Sequence, residues 1–456
     1  MGGRQGKARL SAALVEDEEY QLRHERVAGV DVAKASAAVC TRLPPQREGG
    51  RRVSRVEEVT ATVPEVAALA GRLLADGVTS VVMESTSDYW RVWYYVLEAH
   101  GLAVLLVNSS HARQLAGRPK TDRLDAQWLA RLAEMGLLRP SFVPPAEIRE
   151  LREYTRGRLH LVHDRTRAWQ RLEKLLEGAL IKLASVTSVK TKSARLIIRA
   201  IIAGERDPRA LADLAEGPLR GKRGDLAQAL TGMMITGSFT HMAKTLLDLI
   251  AYLDEDVAIL EARIAACVGA IPAAWGTDRD GVAGPGAGPD AAVLPAAARL
   301  AEIPGVSEDL ARAIIAETGL DMTRFATAAH LVSWAGLAPV ARQSGPRSRK
   351  PKKGQGDSYL RGLCTQAANG AARTDTFLGE RLRRIAKRRG GGRARCAVGR
   401  SILTIIWHLL KDPEARFADL GPDWHDRKTH KDKKIQGHLR QLRALGVDVT
   451  VTERAA

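Results

Sequence analysis

Aromatic side chains make up only 4% of this 456-residue sequence, and just 5 of its residues are phenylalanine. A core so short of rings must be filled by aliphatic residues, and the abundance of Ala, Leu and Arg favours helix. Cysteine is scarcer still. Cys40, Cys267, Cys364 and Cys396 are scattered without a Cys-x-x-Cys spacing, which excludes a disulfide framework and a structural zinc site. No apolar run reaches the length of a membrane span, and the N-terminus has no signal-peptide core, so membrane and secreted classes are set aside and a soluble cytoplasmic protein is expected. Acids are also in deficit: 52 Asp and Glu stand against 70 Lys and Arg, a net charge of +18. That surplus calls for a polyanionic partner, nucleic acid first among them. A uniformly basic composition would weaken this reading, but the charge is concentrated. Residues 339–400 hold seventeen Lys or Arg and three acids.

The order of hydrophobic patterns sets the organisation. Residues 1–25 read as a flexible leader. Between 26 and 144, the run Val27 to Ala33 reads as a buried strand, Ser36–Cys40 as its hairpin partner and Val56–Val63 as a third strand. A helix over Pro64–Asp76 stops at Gly77. A strand over Thr79–Thr86, a helix over 88–100, a strand over Ala103–Asn108 and a helix starting near Thr121 complete a mixed α/β unit. From 145 to 270 the sequence becomes charged and Leu-rich, with long helical periodicity over Glu147–Leu183 and Phe239–Val268. An antiparallel hairpin or dimerising coiled coil fits, as does a plain helical bundle. The Gly/Pro/Ala-rich stretch 271–296 reads as a linker and a domain boundary. Residues 297–411 are mostly helical, opening with an Ile303-Pro304-Gly305-Val306 turn of the kind by which helix-hairpin-helix modules offer backbone N–H groups to phosphate. The tail 412–456 is basic and polar, with His425, His430 and His438 read as surface residues.

Four acids occupy positions that suit a metal site. Asp31 falls inside the first strand, where an unpaired carboxylate is costly. Glu84 ends another strand. Asp122 and Asp125, three apart at the head of a helix, share one face. Acids in a first turn also satisfy the helix dipole, so the pair alone does not decide between ligand and helix start. Asp88 competes with Glu84 but is assigned to the following helix. Taken together, hard oxygen donors without a His/Cys cluster favour Mg²⁺, or Mn²⁺, in the arrangement by which ribonuclease-H-like folds build a two-metal site. Further on, Ser344-Gly345 sits in a basic stretch read as a loop between helices. Its serine suits either a nucleophile or a simple hydrogen-bond donor to phosphate. Lys120, Arg123, Arg342, Arg347, Arg349, Lys350, Lys352 and Lys353 are the candidate nucleic-acid contacts.

The segments Gly29-Val30-Asp31-Val32-Ala33-Lys34, Met83-Glu84-Ser85-Thr86, Lys120-Thr121-Asp122-Arg123-Leu124-Asp125-Ala126, Ile303-Pro304-Gly305-Val306 and Trp334-Ala335-Gly336-Leu337-Ala338-Pro339, followed by the Ser344-Gly345 stretch, occur in a fixed order. That order resembles the DEDD transposases of bacterial insertion sequences, the IS-one-ten group, over roughly residues 26–140 and 298–411. The resemblance implies a ribonuclease-H-like (RuvC-like) domain, a helical coiled-coil section and an α-helical transposase domain. It implies an RNA-guided DNA recombinase, in which a noncoding bridge RNA pairs with donor and target DNA. By the same resemblance Asp31, Glu84, Asp122 and Asp125 form the metal site, and Ser344 becomes covalently joined to DNA. The family's subunits share composite sites within dimers and tetramers, acting on the nucleoid. The chain departs from the family's usual loop in having Gln343 before Ser344 and Pro346 after Gly345, which leaves Ser348 as the alternative nucleophile. Two other readings remain: a metal-dependent junction resolvase or nuclease that hydrolyses DNA, and a nucleic-acid-binding protein without catalysis.

Overall fold

β1 (Val27–Val32) is buried at every position but Asp31. Such a continuous apolar run belongs at the centre of a sheet covered on both faces. β2 (Ser36–Leu43) pairs antiparallel with β1, and β3 (Val53–Thr60) pairs antiparallel with β2. The chain then crosses over through α1 (Val63–Ala75) to β4 (Ser80–Glu84), which runs parallel to β1, and through α2 (Trp90–Ala99) to β5 (Val104–Val107), parallel to β4. The resulting order, β3-β2-β1-β4-β5, is the mixed sheet of a ribonuclease-H-like fold. Edge strand β3 carries Arg55 exposed and Glu57 and Glu58 half-buried, charges that discourage further strand addition.

This computed structural model describes residues 22–47, 50–84, 87–108, 121–138, 140–285, 291–344, 347–353, 356–428 and 431–447. Lys120 and most of the expected leader lie outside these. The chain divides into two compact units, Met1–Val143 and Pro144–Ala456.

In the first unit, α1 and α2 cover one face of the sheet through Leu69, Leu73, Trp93 and Leu97, which pack with Ala28, Val30, Val81 and Met83. α3 (Asp122–Glu134) covers the other through Ala126, Leu129, Ala130 and Ala133, which pack with Val27 and Val82. α3 approaches β1 so closely that a Cβ added at Gly29 would lie 2.4 Å from the Ala126 carbonyl oxygen and 2.5 Å from the Ala130 nitrogen. β3 begins three residues before the expected Val56, because Val53, Ser54 and Arg55 are held by pairing with Leu43, Arg42 and Thr41 rather than by hydrophobicity. Asp88 lies in the turn before α2, not inside the helix, and forms an exposed pair with Arg91 at 3.2 Å.

The second unit is built around α4 (Ala146–Gly178), which is followed by α5 (Leu183–Val186), α6 (Lys192–Ala203), α7 (Pro208–Asp213), α8 (Arg223–Leu230) and the equally long α9 (Gly237–Gly269). α4 and α9 run antiparallel, tied by Arg158 to Glu261 at 2.5 Å and by Arg165 to Asp254 at 2.7 Å. Trp169, Leu172 and Leu176 of α4 share a core with Phe239, Ala243 and Ile250 of α9 and with the small helices between them. β6 (Gly276–Thr277) and β7 (Ala283–Gly284) pair within the segment read as a linker. Beyond it come α10 (Ala296–Ala301), α11 (Glu308–Thr318) and α12 (Ala328–Trp334). The boundary expected at 271–296 needs correcting, since helices on its two sides pack in one unit. Arg152 donates to the Ala316 and Glu317 carbonyls, and Arg156 grips the buried Glu317 carboxylate with two bonds of 2.8 Å. Burial pushes the Glu317 carboxyl up, against the pull of both arginines.

A hairpin of β8 (Pro339–Ser344) and β9 (Arg347–Lys353) precedes α13 (Ser358–Ala371), α14 (Phe377–Arg389) and α15 (Gly391–Lys411). The Pro304-Gly305 turn lies between α10 and α11. Gly305 has φ +87° and abuts α13, its Cα 2.8 Å from where a Cβ on Gly370 would stand, so this glycine serves helix packing. The polar tail contains α16 (Trp424–Lys428) and α17 (Lys431–Ala444), because its Lys, Gln, Leu, Arg and Ala favour helix whatever their charge. His425 is half-buried, its ring 5.1 Å from that of Phe377, and is not a free surface residue. No helix among the described residues is long and apolar enough to cross a membrane.

Gly29→Ala is expected to destabilise the protein by about 1–3 kcal/mol, since backbone rather than a flexible side chain blocks the new methyl. Gly71→Ala, within α1 and with nothing within 4 Å of the added Cβ, is expected to be neutral or stabilising by up to about 1 kcal/mol. Denaturant unfolding of the two variants checks the contrast.

Candidate functional site

Strand alternation fixes the direction of the first two acids. Ala28, Val30 and Val32 face α1 and α2, so Val27, Gly29 and Asp31 face α3. In β4, Val81 and Met83 face α1 and α2, so Val82 and Glu84 face α3. The last registered pair between these parallel strands is Val30 with Met83, and the next position on each strand is Asp31 and Glu84. Both are half-buried. Two carboxylates therefore stand side by side at the carboxyl ends of β1 and β4, on the face that α3 covers.

α3 brings the other two. It runs antiparallel to β1: Ala126 and Ala130 lie over Gly29, while the Glu134 carbonyl accepts from the Arg23 and His24 amides ahead of the strand. Its N-terminal turn is thus directed to the Asp31 end of the sheet. Thr121 caps that turn, its hydroxyl accepting from the Leu124 amide at 3.3 Å. Asp122 precedes Ala126 by four residues, and Asp125 precedes Leu129 by four. Ala126 and Leu129 face the sheet, so the two carboxylates continue the sheet-facing stripe by one turn. Four carboxylates and no nitrogen or sulfur donor suit a hard divalent cation. Among the described residues, no three His, Cys, Asp or Glu side chains stand close enough together to hold a metal ion. The arrangement is one of shared face and shared sheet end, rather than a closed cage. Arg123, expected at nucleic acid, reaches the Val56 carbonyl at 3.4 Å.

Sequence reasoning passed over the anchor at the other end of α3. Glu134 is buried, and its carboxylate meets Arg42 at 2.8 Å and Arg52 at 2.9 Å. An acid at a helix C-terminus opposes the helix dipole, and the two guanidiniums offset that repulsion. Gly29 was overlooked as well, although a lone glycine within a strand signals close backbone approach.

The serine lies in the second unit. Ser344 is the last residue of β8, paired with Arg347, and Ser348 pairs with Gln343. The stretch read as a loop between helices is thus a two-stranded ribbon, with its turn at 345–346 outside the described residues. Its register shifts between Val340 and Arg342, opposite Pro351, which has no N–H to give the ladder. Arg342, Arg347, Arg349, Lys350, Lys352 and Lys353 all fall on this ribbon.

Residues 28–181 match the model of the DEDD transposases of the IS110 group, and residues 297–383 match that of the IS116/IS110/IS902 transposase family. The two matches together span more than half of the chain. It belongs to the IS110 family of transposases. A protein of insertion element IS900 from Mycobacterium paratuberculosis, described as an uncharacterized 42 kDa protein, is 28% identical over 404 residues, covering 84% of this chain and 95% of its own. Thermus thermophilus RuvC matches 25% of this chain over 99% of its own length, at 14% identity and a TM-score of 0.21. The same protein in complex with a Holliday junction substrate matches 26% over 100%, with the same identity and score. The IS110-family match from residue 28 to 181 takes in all four acids, and the second match takes in the serine ribbon.

In this transposase, Glu134→Gln is expected to cost about 3–5 kcal/mol, because it leaves Arg42 and Arg52 without their shared carboxylate. Asp88→Ala, which breaks an exposed pair, is expected to cost under about 1 kcal/mol. Thermal unfolding midpoints of the two variants check the difference.

Proposed function

We propose that this transposase is a site-specific DNA recombinase that cuts and rejoins donor and target DNA through a serine–DNA intermediate, guided by a noncoding RNA. The observation that carries the reading is the set of four acids: Asp31 and Glu84 at adjacent strand ends, with Asp122 and Asp125 on the helix turn directed to the same end and face. These carboxylates would hold Mg²⁺ or Mn²⁺, which supplies Lewis-acid stabilisation of charge on a phosphate under attack. The Ser344 oxygen would form a new ester bond to the scissile phosphorus as the bond to one deoxyribose oxygen breaks. The serine proton leaves, and the freed DNA end takes up a proton as a hydroxyl. One phosphoester replaces another, so no energy cofactor is required, and attack by a hydroxyl from a different strand reverses the step to complete the exchange. The ribbon's sequence carries six Lys and Arg, residue types that neutralise phosphate without reading sequence, which suits selection of sites by base pairing.

Self-association is part of the reading. α9 leaves Met242, Leu249, Tyr252 and Ile259 exposed. Met242 and Leu249 are seven apart, as are Tyr252 and Ile259, and Tyr252 follows Leu249 by three positions. This is the a/d seam of a coiled coil, on a helix whose opposite side is already covered by α4. A homodimer through α9, and a tetramer as a pair of dimers, would bring four chains to two DNA molecules.

Two tests follow. With donor DNA, target DNA and the transcript of the noncoding DNA flanking the open reading frame, wild type is expected to yield protein–DNA adducts that survive SDS. Ser344→Ala is expected to yield none, with Ser348→Ala unchanged. Asp122→Asn and Asp125→Asn are expected to lower recombination by at least about 10²-fold, the scale of losing an electrostatic catalytic group. Hydrolytic cutting that persists in Ser344→Ala would establish a nuclease instead. In the second test, Leu249→Glu with Tyr252→Glu is expected to give a monomer by light scattering with the fold retained; an unchanged oligomer would rule out the α9 seam.

A further inference from the structure

The second unit has an open cavity of about 1210 Å³ that neither the acids nor the serine uses. Its lining combines apolar side chains, Leu337, Ile405 and Leu409 with the rings of Phe377 and Phe417, with the guanidiniums of Arg361, Arg381, Arg393 and Arg400. The Nε of Arg381 is buried and finds no hydrogen-bond acceptor among the described residues. A charged donor left without an acceptor is costly, and Arg381 lines the cavity. Burial first, and then the neighbouring Arg384 and Arg400, press the Arg381 guanidinium below its usual range. One carboxylate, Asp419, lines the cavity, but it accepts from the Phe377 amide at 3.2 Å and the Gly421 amide at 3.0 Å and so caps the start of α14. The hairpin bearing Ser344 grows from the cavity rim, since Gly336, Leu337 and Ala338 line it and β8 begins at the next residue.

We propose that this cavity receives an unpaired nucleotide of a DNA strand, with the base on the aromatic and aliphatic lining and the phosphate on Arg381 and Arg400. A lining that combines apolar side chains with guanidiniums matches a nucleotide's two halves, and only an unpaired base can leave the stack to reach it. The cavity exceeds the roughly 300–1,000 Å³ of ordinary small-molecule pockets, which leaves room for the strand on either side. Strand exchange creates such unpaired nucleotides beside the cut, and a pocket at the root of the serine ribbon would hold one while the ends are swapped. The inference rests on the proposed recombinase function.

The test is fluorescence anisotropy of the full chain in EDTA, so that no strand is cut. The probes are an oligothymidylate of about 12 nucleotides, a duplex with the same number of phosphates and an oligouridylate of equal length. Wild type is expected to favour the single DNA strand. Arg381→Gln and Arg400→Gln are expected to weaken it by about tenfold while changing duplex affinity less than about twofold. Ala397→Trp, which fills the cavity without removing charge, is expected to abolish the single-strand preference. Arg388→Gln, exposed outside the cavity, should lower both affinities slightly and alike, and unchanged thermal midpoints establish that each variant folds. Equal weakening on single strand and duplex, or an Ala397→Trp protein that keeps its preference, overturns the pocket. Tighter binding of the oligouridylate overturns the assignment to DNA. Failure of wild type to bind any of the three probes would instead bring down the recombinase reading itself.

Discussion

The first unit depends on two backbones pressed together without a side chain between them. Where Gly29 meets Ala126 and Ala130, α3 sits on β1 at a separation that admits no Cβ. That contact fixes the height of α3 above the sheet, while the small Ala126, Ala130 and Ala133 let it lie flat along the strand. At constant height and direction, the first turn of the helix must overhang the carboxyl ends of β1 and β4. The placement of four acids thus follows from a residue with no functional group.

Charge then gives the helix two unlike ends. Glu134 opposes the dipole at the C-terminus and is buried, so it is tolerable only with Arg42 and Arg52 on it. Asp122 and Asp125 agree with the dipole at the N-terminus, where the capped turn leaves Asp122 exposed and Asp125 half-buried. The same residue type is used for opposite purposes at the two ends. A carboxylate saturated by guanidiniums holds the helix down, and two carboxylates lie in a solvated turn with the dipole in their favour.

Much of this was legible in the sequence. The element order of the first unit, its helix boundaries to within a residue or two, and the positions of Asp31, Glu84, Asp122 and Asp125 all follow from periodicity and from acids in unlikely places. What could not be read were arrangements that depend on partners distant in sequence. Val53–Arg55 is strand because β2 is beside it. The serine ribbon looked like a loop because Arg, Lys and Pro carry no strand signal, and only backbone pairing across its turn makes it one. The boundary drawn at 271–296 followed composition, whereas Arg152 and Arg156, more than 160 residues from Glu317, bind the two sides into one unit.

That last tie has a consequence for how force would pass through the second unit. Glu317 ends α11, and its carboxylate is held by two arginines one turn apart on α4, while Arg156 also lies 4.1 Å over the Tyr359 ring at the start of α13. α11, α13 and the long helix are therefore joined at one buried point, and α13 follows directly on the serine ribbon. Buried ion pairs add little net stability but penalise any alternative in which one partner is left alone. Displacing α4 against α11 would strip Glu317 of both arginines in the interior, so the pair favours movement of the helices together. A displacement applied to the long helices would be carried to the root of the ribbon rather than absorbed between them, so the ribbon and the long helices move as one mechanical element.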